Sequence, residues 1–294
     1  MKNKLNKKVS IVIPNYNGLA LLKKHLDKVL ACLRDKDELV IVDDASSDQS
    51  IDWLLKKFKI RNEEQKTDYL GNFTIYYKDF SLAKKKTVAI KIVKNKQNIR
   101  FAGNSNRGVS LAEHNLIFLI NSDVAPTKDV LIHLIPHFLD KTMFAVGCME
   151  IEANEKLKGG KNVLQFKKGM FIHRRADEFS TGPTAWASGG SAMFDRQKWL
   201  TLSGFDLDYA PAYWEDVDLS FRARKRGWQV LFEEKAVVYH NHESTNLTVL
   251  GKKKMNRVSW RNAQKFVSKN GNIIQKTLYL LWQPYWFYQR SKNQ

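Results

Sequence analysis

Val9-Ser-Ile-Val-Ile-Pro-Asn-Tyr-Asn-Gly18 is the stretch of sequence that decides the fold. Its first five residues are mostly apolar and β-branched, as in a strand that is buried on both faces of a parallel sheet. The Pro-Asn-Tyr-Asn-Gly run that follows has the composition of a turn. From Leu19 onward, apolar residues recur at helical spacing, with charged residues on the opposite face. The stretch therefore predicts the start of a β-α-β unit.

The same alternation of strand and helix continues as far as residue 123. The predicted strands and helices are, in chain order, 9–13, 19–33, 39–42, 50–58, 88–93, 102–114 and 116–120. Residues 61–87 are polar, and apart from 73–77 we expect an irregular insertion there. Because each parallel connection needs a crossover helix, the pattern predicts an α/β fold with a doubly wound, mostly parallel sheet.

The second half of the chain has a different pattern. Its predicted segments are strands near 143–151 and 163–172, an aromatic, Gly-bearing loop at 181–191, helices at 195–202 and 215–226, and strands at 228–232 and 236–239. Neither an internal repeat nor a Pro- and Gly-rich linker interrupts the sequence. We therefore expect one domain over residues 1–250, in two halves at 9–123 and 124–250, and a basic helical tail over 251–294.

Bulk composition limits the class of protein. Lys and Arg number 49 against 30 Asp and Glu, and the net charge of +19 indicates nucleic acid, an anionic membrane face or anionic substrates as partners. The two cysteines, Cys32 and Cys148, lie far apart in apolar runs, which excludes a disulfide framework and favours a cytoplasmic setting. The basic N-terminus lacks the apolar run of a signal peptide, and no run of about 18 apolar residues predicts a membrane-spanning helix.

Residues 251–294 concentrate the positive charge. They contain ten Lys and Arg and neither Asp nor Glu, together with the aromatic run at 278–288. Tyr and Trp flanked by cations are typical of a segment at the membrane–water interface, so we expect peripheral binding to an anionic membrane surface. The alternative is a helix that docks its aromatic side chains on the domain.

The pair Asp43-Asp44 directly follows the predicted strand 39–42. Carboxyl ends of parallel strands converge on the crevice where open α/β sheets bind ligands. An aspartate there is placed to accept a hydrogen bond from a ribose hydroxyl or a base N–H. The alternative is a structural role, in which Asp44 or Ser46 caps the following helix. The glycine patterns of the dinucleotide-binding and P-loop folds do not occur in the sequence.

Two further segments are candidates for binding phosphate groups and a metal ion. Asn98–Gly108 is a polar loop that runs into a helix start, where backbone N–H groups bind phosphate oxygens and Arg100 or Arg107 could assist. Asn121-Ser-Asp123 follows a wholly apolar strand and offers oxygen ligands to a hard divalent cation. The alternative for this second segment is an Asx-turn that closes the strand.

Trp214-Glu-Asp-Val-Asp218 opens a predicted helix. The helix macrodipole favours carboxylates in the first turn, and this accounts for Asp218. The macrodipole does not account for the Glu-Asp pair that directly follows Tyr213-Trp214. These two aromatic residues could form the apolar wall of a pocket, and a carboxylate beside such a wall is a usable general base. We interpret His240, at the end of a predicted strand, as completing an oxygen and nitrogen metal shell with Asp123 rather than as a core histidine.

Taken in order, these motifs resemble those of family 2 glycosyltransferases, and most of all the bacterial rhamnosyltransferase-like branch. The matching residues are Val9-Ser-Ile-Val-Ile-Pro-Asn-Tyr-Asn-Gly18, Val42-Asp-Asp-Ala-Ser-Ser-Asp48, Phe101-Ala-Gly-Asn-Ser-Asn-Arg-Gly108, Asn121-Ser-Asp123, Gly204-Phe-Asp206, Trp214-Glu-Asp-Val-Asp-Leu219, Arg222 and His240. The resemblance covers residues 9–245. It implies a GT-A fold with a Rossmann-like nucleotide-binding half and an acceptor-binding half, a nucleotide-diphosphate sugar as donor, Mg or Mn, and inversion at the anomeric carbon.

The resemblance assigns roles to the matching positions. For the donor it implies Pro14, Asn17, Asp43, Asp44, Asn98, Arg100, Asn106, Asn121 and Asp123 as binding residues. It implies Asp123 and His240 as metal ligands, and Asp216 as the base that deprotonates the acceptor hydroxyl. The acceptor-side residues, with Trp186 and Trp214 as stacking platforms, are Trp186, Gly189, Gly190, Trp214 and Glu215. The family's metal motif is Asp-x-Asp, and here the neutral, weaker ligand Asn121 replaces its first aspartate.

The expected function is inverting transfer of a sugar from a UDP- or dTDP-sugar to a hydroxyl of a glycan or lipid-linked acceptor, in cell-surface polysaccharide synthesis on the inner face of the cell membrane. A sugar-phosphate nucleotidyltransferase is one alternative, because it shares the sheet, the metal and the nucleotide, but it leaves Asp216 without a role. A nucleic-acid-binding protein is a second alternative, and it rests on the positive charge alone.

Overall fold

The computed structural model describes residues 7–82, 86–152, 158–240 and 251–291. The strands are β1 (Val9–Asn15), β2 (Glu38–Asp43), β3 (Glu63–Asp68), β4 (Gly71–Leu82), β5 (Lys86–Asn95), β6 (Leu116–Ile120), β7 (Val124–Pro126), β8 (Met143–Glu152), β9 (Lys158–Gly159), β10 (Asn162–Lys167), β11 (Met170–Arg175), β12 (Gly182–Pro183), β13 (Ser191–Asp195) and β14 (Gln229–His240). The helices are α1 (Leu19–Cys32), α2 (Ser50–Phe58), α3 (Arg100–Leu111), α4 (Val130–Leu134), α5 (Arg196–Thr201), α6 (Glu215–Lys225), α7 (Lys252–Asn270), α8 (Ile273–Leu281) and α9 (Gln283–Ser291). Short 3-10 turns span Ile135–Leu139 and Leu207–Tyr209.

Four parallel strands form the centre of the sheet, in the order β5-β2-β1-β6. Their side chains alternate between two apolar clusters. Val9, Ile11 and Ile13 pack in the cluster that contains α1 and α2, whereas Val12 packs in the cluster that contains α3. With both faces covered, β2 and β6 show unbroken apolar runs at 39–42 and 116–120, and the run of β1 is interrupted only by the buried Ser10. β5, which lies next to the exposed hairpin, also contains the half-buried Lys91. The fold is α/β and doubly wound, as expected, and the strand order reverses between β1 and β6.

The expectation of an irregular insertion at 61–87 was wrong. β3 and β4 form an antiparallel hairpin, and β4 pairs with β5 from Phe73–Asn95 to Leu82–Lys86, which extends the sheet at this edge. Five of the six residues of β3 are exposed and the sixth is half-buried. An edge strand that faces water need not carry apolar residues, so the polarity of the segment reflects its position and not irregular backbone.

The second half continues the same sheet with mixed strand directions. β13 lies antiparallel between β6 and β8, and β14 lies parallel to β8 on the far side. The two strands expected at 228–239 are one strand with a register shift between Glu233 and Val237. The strand expected at 163–172 is the hairpin β10–β11, which turns at Lys168 and at Gly169, where φ is +74°. This half places α6 and the 181–191 loop beside the end of β6.

The C-terminal helices differ in how they contact the rest of the chain. Helix α7 packs Ala263, Phe266 and Val267 into a third apolar cluster, together with residues of β11 and α6. Helix α8 has no buried residue, and α8 and α9 expose large apolar side chains: Ile273, Ile274, Leu280, Leu281, Phe287 and Tyr288. Across the described residues, no helix combines the length and apolar character needed to cross a membrane. The domain boundary expected at residue 250 lies outside the described residues.

Candidate active site

The turns after β1 and β2 are joined by polar side chains. Asp43 is fully buried and accepts three hydrogen bonds, from Asn15 Nδ2 at 2.8 Å, from Ser46 N at 2.9 Å and from Ser46 Oγ at 2.6 Å. Asn17, at φ +49°, accepts a hydrogen bond from Ser47 N at 2.8 Å. Pro14 is buried at the end of β1. These contacts are internal, so Asp43 holds the loop in shape, whereas Asn17 is exposed.

Asp44 bonds across the sheet edge and does not cap α2. Its Oδ1 accepts hydrogen bonds from Asn95 Nδ2 at 3.0 Å and from Ile99 N at 2.8 Å. The N-cap of α2 is Gln49, which makes no side-chain capping bond. Burial raises the pKa of the Asp44 carboxyl above its usual value, and the donors of Ile99 and Asn95 oppose that rise. A partly desolvated acceptor at this place suits a ribose hydroxyl or a base N–H.

The residues near the start of α3 that we expected to bind the sugar donor differ in their exposure. Asn98 Oδ1 accepts a hydrogen bond from Arg100 N at 3.0 Å, and Arg100 is exposed with φ +64°. A non-glycine residue at positive φ is a strained feature that is frequent at binding sites. Asn106, in contrast, is buried, and both its amide atoms bond to the backbone of Phe205, each at 2.8 Å. Its amide therefore ties α3 to the loop before α6.

The interpretation of Arg107 as a group that assists phosphate binding is wrong. Its side chain is fully buried and its guanidinium donates to Asp68, Asn95 and Gly71. These bonds use the guanidinium within the protein, so Arg107 is a structural group next to the loop that follows β5.

Asn121-Ser-Asp123 lies at the point where the strand order reverses. A Cβ added at Gly18 would lie 2.3 Å from Asn15 Oδ1 and 3.3 Å from Ser122 Oγ, so the turn after β1 touches the turn after β6. Asn121 N donates to Gly190 O at 3.0 Å. A Cβ at Gly190 would lie 2.7 Å from Asn121 Nδ2. The glycine loop of the second half therefore packs directly against this turn.

Asp123 and His240 meet at the same place. Asp123 Oδ1 is buried, lacks a hydrogen-bond donor within the described part of the chain, and lies 3.4 Å from His240 Nε2. Burial lowers the pKa of His240, but the interaction with the Asp123 carboxylate outweighs it and raises that pKa above its ordinary value. Among the described residues, no group of three or more His, Cys, Asp or Glu side chains could hold a metal ion. Asp123 and His240 are therefore the carboxylate and the imidazole that this place offers to a cation.

Asp216 is connected to the turn that contains Asp123 through the loop that contains Gly189 and Gly190. Its Oδ2 accepts a hydrogen bond from Gly189 N at 3.3 Å and its Oδ1 from Val217 N at 2.8 Å. Burial raises the pKa of Asp216 to about 6, against the opposing effect of these two donors. Burial and the charge of Asp216 raise the pKa of Glu215 to about 8, and Glu215 Oε2 has no hydrogen-bond partner within the described ranges. A carboxyl with a pKa near neutrality is suited to general-base catalysis.

The two tryptophans that we expected as stacking platforms are mostly buried. Trp186 is 9% exposed and Trp214 is 4% exposed, and both pack in the third apolar cluster. The ring of His173 contacts both of them edge-on, with centroids 5.5 Å from Trp186 and 5.0 Å from Trp214. His173 itself is exposed, whereas both tryptophans are buried.

Three residues of the site, Asn95, Glu150 and Asn262, escaped the sequence interpretation. Asn95 is the last residue of β5, and a polar residue at the end of a strand is the same signal that drew attention to Asp43. Ser191 Oγ donates to Glu150 Oε1, and the charge of Glu150 also raises the pKa of Asp216. Asn262, on α7, is completely buried against the loop before α6. Neither Glu150 nor Asn262 lies in a local pattern that marks it.

The chain resembles known proteins along most of its length. Residues 81–259 match the model of the glycosyltransferase-like family 2, and residues 10–75 match the model of glycosyl transferase family 2. The O-antigen chain rhamnosyltransferase RfbN of Salmonella typhimurium is 23% identical over 244 residues, which cover 81% of this chain and 68% of that protein. Poly-beta-1,6-N-acetyl-D-glucosamine synthase of Staphylococcus aureus is 22% identical over 233 residues, and this chain spans about half of its length, 49%.

Solved structures share the fold at lower identity. Mannosyltransferase PcManGT from Pyrobaculum calidifontis, in complex with GDP-Man and Mn2+, superposes with a TM-score of 0.60 at 17% identity, over 88% of this chain and 64% of that one. GalNAc-T7, solved with UDP, GalNAc and Mn2+, superposes with a TM-score of 0.59 at 14% identity, over 80% of this chain and 44% of that one. These likenesses confirm the GT-A fold. Because the model matched by residues 81–259 covers more than half of the 294 residues, the chain belongs to glycosyltransferase family 2.

Proposed function

We propose that the protein is an inverting, cation-dependent glycosyltransferase that moves a sugar from a UDP- or dTDP-sugar to a hydroxyl group of a glycan or lipid-linked acceptor. The observation that carries the proposal is the bridge made by Gly189 and Gly190. Gly190 O accepts a hydrogen bond from Asn121 N, and Gly189 N donates to Asp216. A carboxylate with a raised pKa therefore lies one glycine loop away from the turn at the strand-order reversal, where α/β sheets bind ligands.

The proposed reaction follows from the separation of Asp216 from the turn that contains Asp123. The donor's nucleoside would lie at Asp44 and its diphosphate near Asp123. Asp216, across the glycine loop, would then take the proton of an acceptor hydroxyl as its oxygen attacks the anomeric carbon. The hydroxyl oxygen forms the new glycosidic bond while the bond to the diphosphate breaks, and the nucleoside diphosphate leaves with the electron pair. Attack on the face opposite to the leaving group inverts the anomeric configuration.

The residues present fit a divalent cation. Asp123 offers a buried oxygen that lacks a donor within the described ranges, and His240 offers an imidazole beside it. An acid and an imidazole suit Mg or Mn with positions left for phosphate oxygens, and Asn121 would add only a neutral oxygen. When bound, such a cation would neutralise charge that develops on the departing diphosphate. The two solved structures with Mn2+ and a nucleotide support this assignment.

The curated relatives support a role in cell-surface polysaccharide synthesis, since one is an O-antigen chain rhamnosyltransferase and another a polysaccharide synthase. The alternative of a sugar-phosphate nucleotidyltransferase is not favoured by the family match, and neither is a nucleic-acid-binding protein. Product analysis provides the test. Incubation with UDP-, dTDP- and GDP-sugars should release a nucleoside diphosphate, and NMR of the product should show the inverted anomer. Release of pyrophosphate, or a product with the donor's anomeric configuration, would contradict the proposal.

We further propose that α8 and α9 bring the enzyme to the inner face of the cell membrane as a peripheral protein. Ile273 and Ile274 are 78% and 66% exposed, Leu280 and Leu281 are 68% and 70% exposed, and Phe287 is 80% exposed. These exposed apolar side chains share α8 and α9 with Lys276 and Arg290, follow the seven cations of α7, and have no acid among residues 251–294, a combination that suits an anionic lipid surface. Each cation near that surface contributes about 1 kcal/mol.

Point substitutions test the proposed membrane binding better than removal of residues 251–294, because α7 forms part of the core. Leu280→Ser with Leu281→Ser should abolish flotation with anionic liposomes at low salt. The matched control is Leu139→Ser with Leu200→Ser, a pair of exposed leucines elsewhere on the domain that are 47% and 41% exposed. If both double variants float like the wild type, or if the wild type does not float, the membrane assignment fails.

A further inference from the structure

Arg107 is a buried cation that the proposed chemistry does not use. Nε and Nη2 donate to the two oxygens of Asp68 at 3.0 and 2.6 Å, and Nη2 also donates to Gly71 O at 3.0 Å. Nη1 donates to Asn95 Oδ1 at 2.5 Å. The guanidinium carbon also lies 4.4 Å from the centre of the Phe73 ring. A buried arginine costs much desolvation, and such complete pairing is the condition under which it persists.

The bond to Asn95 decides which way that amide faces. An arginine only donates hydrogen bonds, so Asn95 must present its oxygen to Arg107. Its nitrogen is then turned to Asp44 Oδ1 at 3.0 Å and to Asn104 Oδ1 at 2.9 Å. Without Arg107 the amide can rotate and present its oxygen to the Asp44 carboxylate, which would replace an attractive contact with a repulsive one. The orientation of Arg107 is thus transmitted to Asp44 through one side chain.

The bonds to Asp68 and Gly71 hold the turn between β3 and β4. Asp68 Oδ1 also accepts a hydrogen bond from Leu70 N at 2.8 Å, and Asn72 O accepts one from Lys96 N at 3.1 Å. Phe73 is the register partner of Asn95. The turn therefore lies at the same edge of the sheet as the loop that follows β5. That loop contains Ile99, whose N–H is the second donor to Asp44.

We propose that Arg107 is a positioning residue for the nucleoside of the donor, acting through Asn95 on Asp44 and through Asp68 on the β3–β4 turn. The inference rests on the proposed function, because it requires a nucleotide to bind at Asp44. It gives the hairpin, which is an edge addition to the sheet, a part in donor recognition. Arg107 acts without touching the phosphate groups, so its loss should weaken binding of the nucleoside and of the nucleotide by the same factor.

Calorimetric titration of the full chain with UDP, dTDP and GDP, and with the corresponding nucleosides, provides the test. Arg107→Lys keeps the charge but replaces the three nitrogens of the planar guanidinium with one, which cannot reproduce the paired bonds to Asp68 together with the bond to Asn95. Asp68→Ala removes the partner at the hairpin turn. We expect each variant to bind the preferred nucleotide about 10- to 100-fold more weakly, the loss typical of a broken hydrogen bond to a charged group. The preferred nucleoside should lose affinity by an equal factor.

Arg34→Lys is the matched control. Arg34 makes the same two-pronged pairing with Asp37, with Nε and Nη2 each at 2.9 Å from an Asp37 oxygen, but it lies just before the N-terminal end of β2, at the opposite end of the strand from Asp44. Its substitution should lower the melting temperature and leave nucleotide affinity unchanged. This separates a general loss of stability from a local effect on the nucleoside.

The outcomes are distinguishable. If the wild type binds none of the nucleotides, the proposed function itself fails. If the wild type binds and both variants bind equally well, the positioning role is wrong. A loss confined to the diphosphate, with nucleoside binding intact, would make Arg107 a phosphate ligand and would also overturn the inference. Should Arg107→Lys fail to fold, Asp68→Ala still decides, because the Asp68 side chain is 24% exposed and sits in a turn.

Discussion

Asn262 on α7 donates a hydrogen bond from Nδ2 to the carbonyl oxygen of Tyr213 at 3.0 Å. The same nitrogen lies 2.6 Å from Tyr209 O and 2.9 Å from Ala212 O, so one buried amide supports the whole loop before α6. Tyr213 and Trp214 have φ of +73° and +80°, an uncommon conformation for residues with side chains. The strained pair immediately precedes Glu215-Asp216. Helix α7 is therefore built into the support of the proposed base.

Asn262→Ala should reduce kcat and leave donor affinity unchanged. Without the amide the loop can relax from its strained conformation, and a displacement of the base of about 1 Å can reduce the rate about 100-fold. Steady-state kinetics and calorimetric donor binding measure the two effects. Val267→Ala, which opens a cavity in the same helix, is the stability control and should retain kcat. Equal loss of kcat in both variants would mean that Asn262 contributes only to folding.

Asp216→Asn should abolish sugar transfer while donor binding stays near that of the wild type. Asp216 is proposed to act on the acceptor proton, and loss of a general base reduces the rate by about 10²–10⁴-fold. Single-turnover assays with a natural acceptor, together with calorimetric titration of the nucleotide, measure the two quantities. Turnover like that of the wild type would remove Asp216 from the mechanism.

The pH dependence of kcat/KM should have an acidic limb near pH 6. The pKa of Asp216 is raised to about 6, chiefly by burial, and the base must be ionised to accept a proton. Activity is therefore present above that pH and is lost as pH falls through it. Since the folded state favours the protonated acid, ionisation of Asp216 reduces the free energy of unfolding as pH rises from about 4 to about 6. Rates from pH 4.5 to 8.5, with folding followed by circular dichroism, check the limb, and an unchanged rate at pH 5 would contradict it.

Exhaustive chelation should suppress transfer, and Mn or Mg should restore it. Asp123 Oδ1 and His240 Nε2 lie 3.4 Å apart. Among the described residues, they are the carboxylate and the imidazole that could bind a cation beside the turn after β6. Asp123→Ala should weaken donor binding in the presence of the cation and have a smaller effect in its absence. Calorimetric titrations with and without EDTA measure this difference. Full activity in chelated enzyme would leave Asn121-Ser-Asp123 as a structural turn.

The parts of the fold that the sequence predicts are those whose side chains face a core. β2 and β6 are buried on both faces, so their apolar runs at 39–42 and 116–120 are unbroken and the polar residues that follow them, such as Asp44 and Asn121, stand out. β3 faces water and carries no such run, and β4 buries only Phe73 and Ile75. The hairpin joins the sheet through main-chain pairing with β5, which requires no apolar run in the sequence.

The supporting residues of the site were hidden for a related reason. Arg107 lies in a polar loop sequence that is equally consistent with phosphate binding, and only the hairpin folded over it shows that its partners are Asp68 and Asn95. Asn262 is a polar residue in a strongly basic helix. Its role depends on three carbonyl groups that lie 49 to 53 residues away in the sequence. Neither arrangement has a local pattern, because each depends on how distant segments pack.

Gly190→Ala should impair donor binding by displacing Asn121. A Cβ at Gly190 would lie 2.7 Å from Asn121 Nδ2 and 3.1 Å from Asn121 Cγ, so the amide must rotate out of its place. A side chain forced from its rotamer costs about 0.5–1.5 kcal/mol, and the same rotation moves the neutral member of the proposed metal motif. The donor KM should therefore rise, and a higher cation concentration should be needed for half-maximal activity. Gly182→Ala is the matched control, because a Cβ there meets nothing within 4 Å and both quantities should stay unchanged. If Gly190→Ala has the donor KM and cation dependence of the control, Asn121 takes no part in holding the donor, and the turn after β6 acts through Asp123 alone.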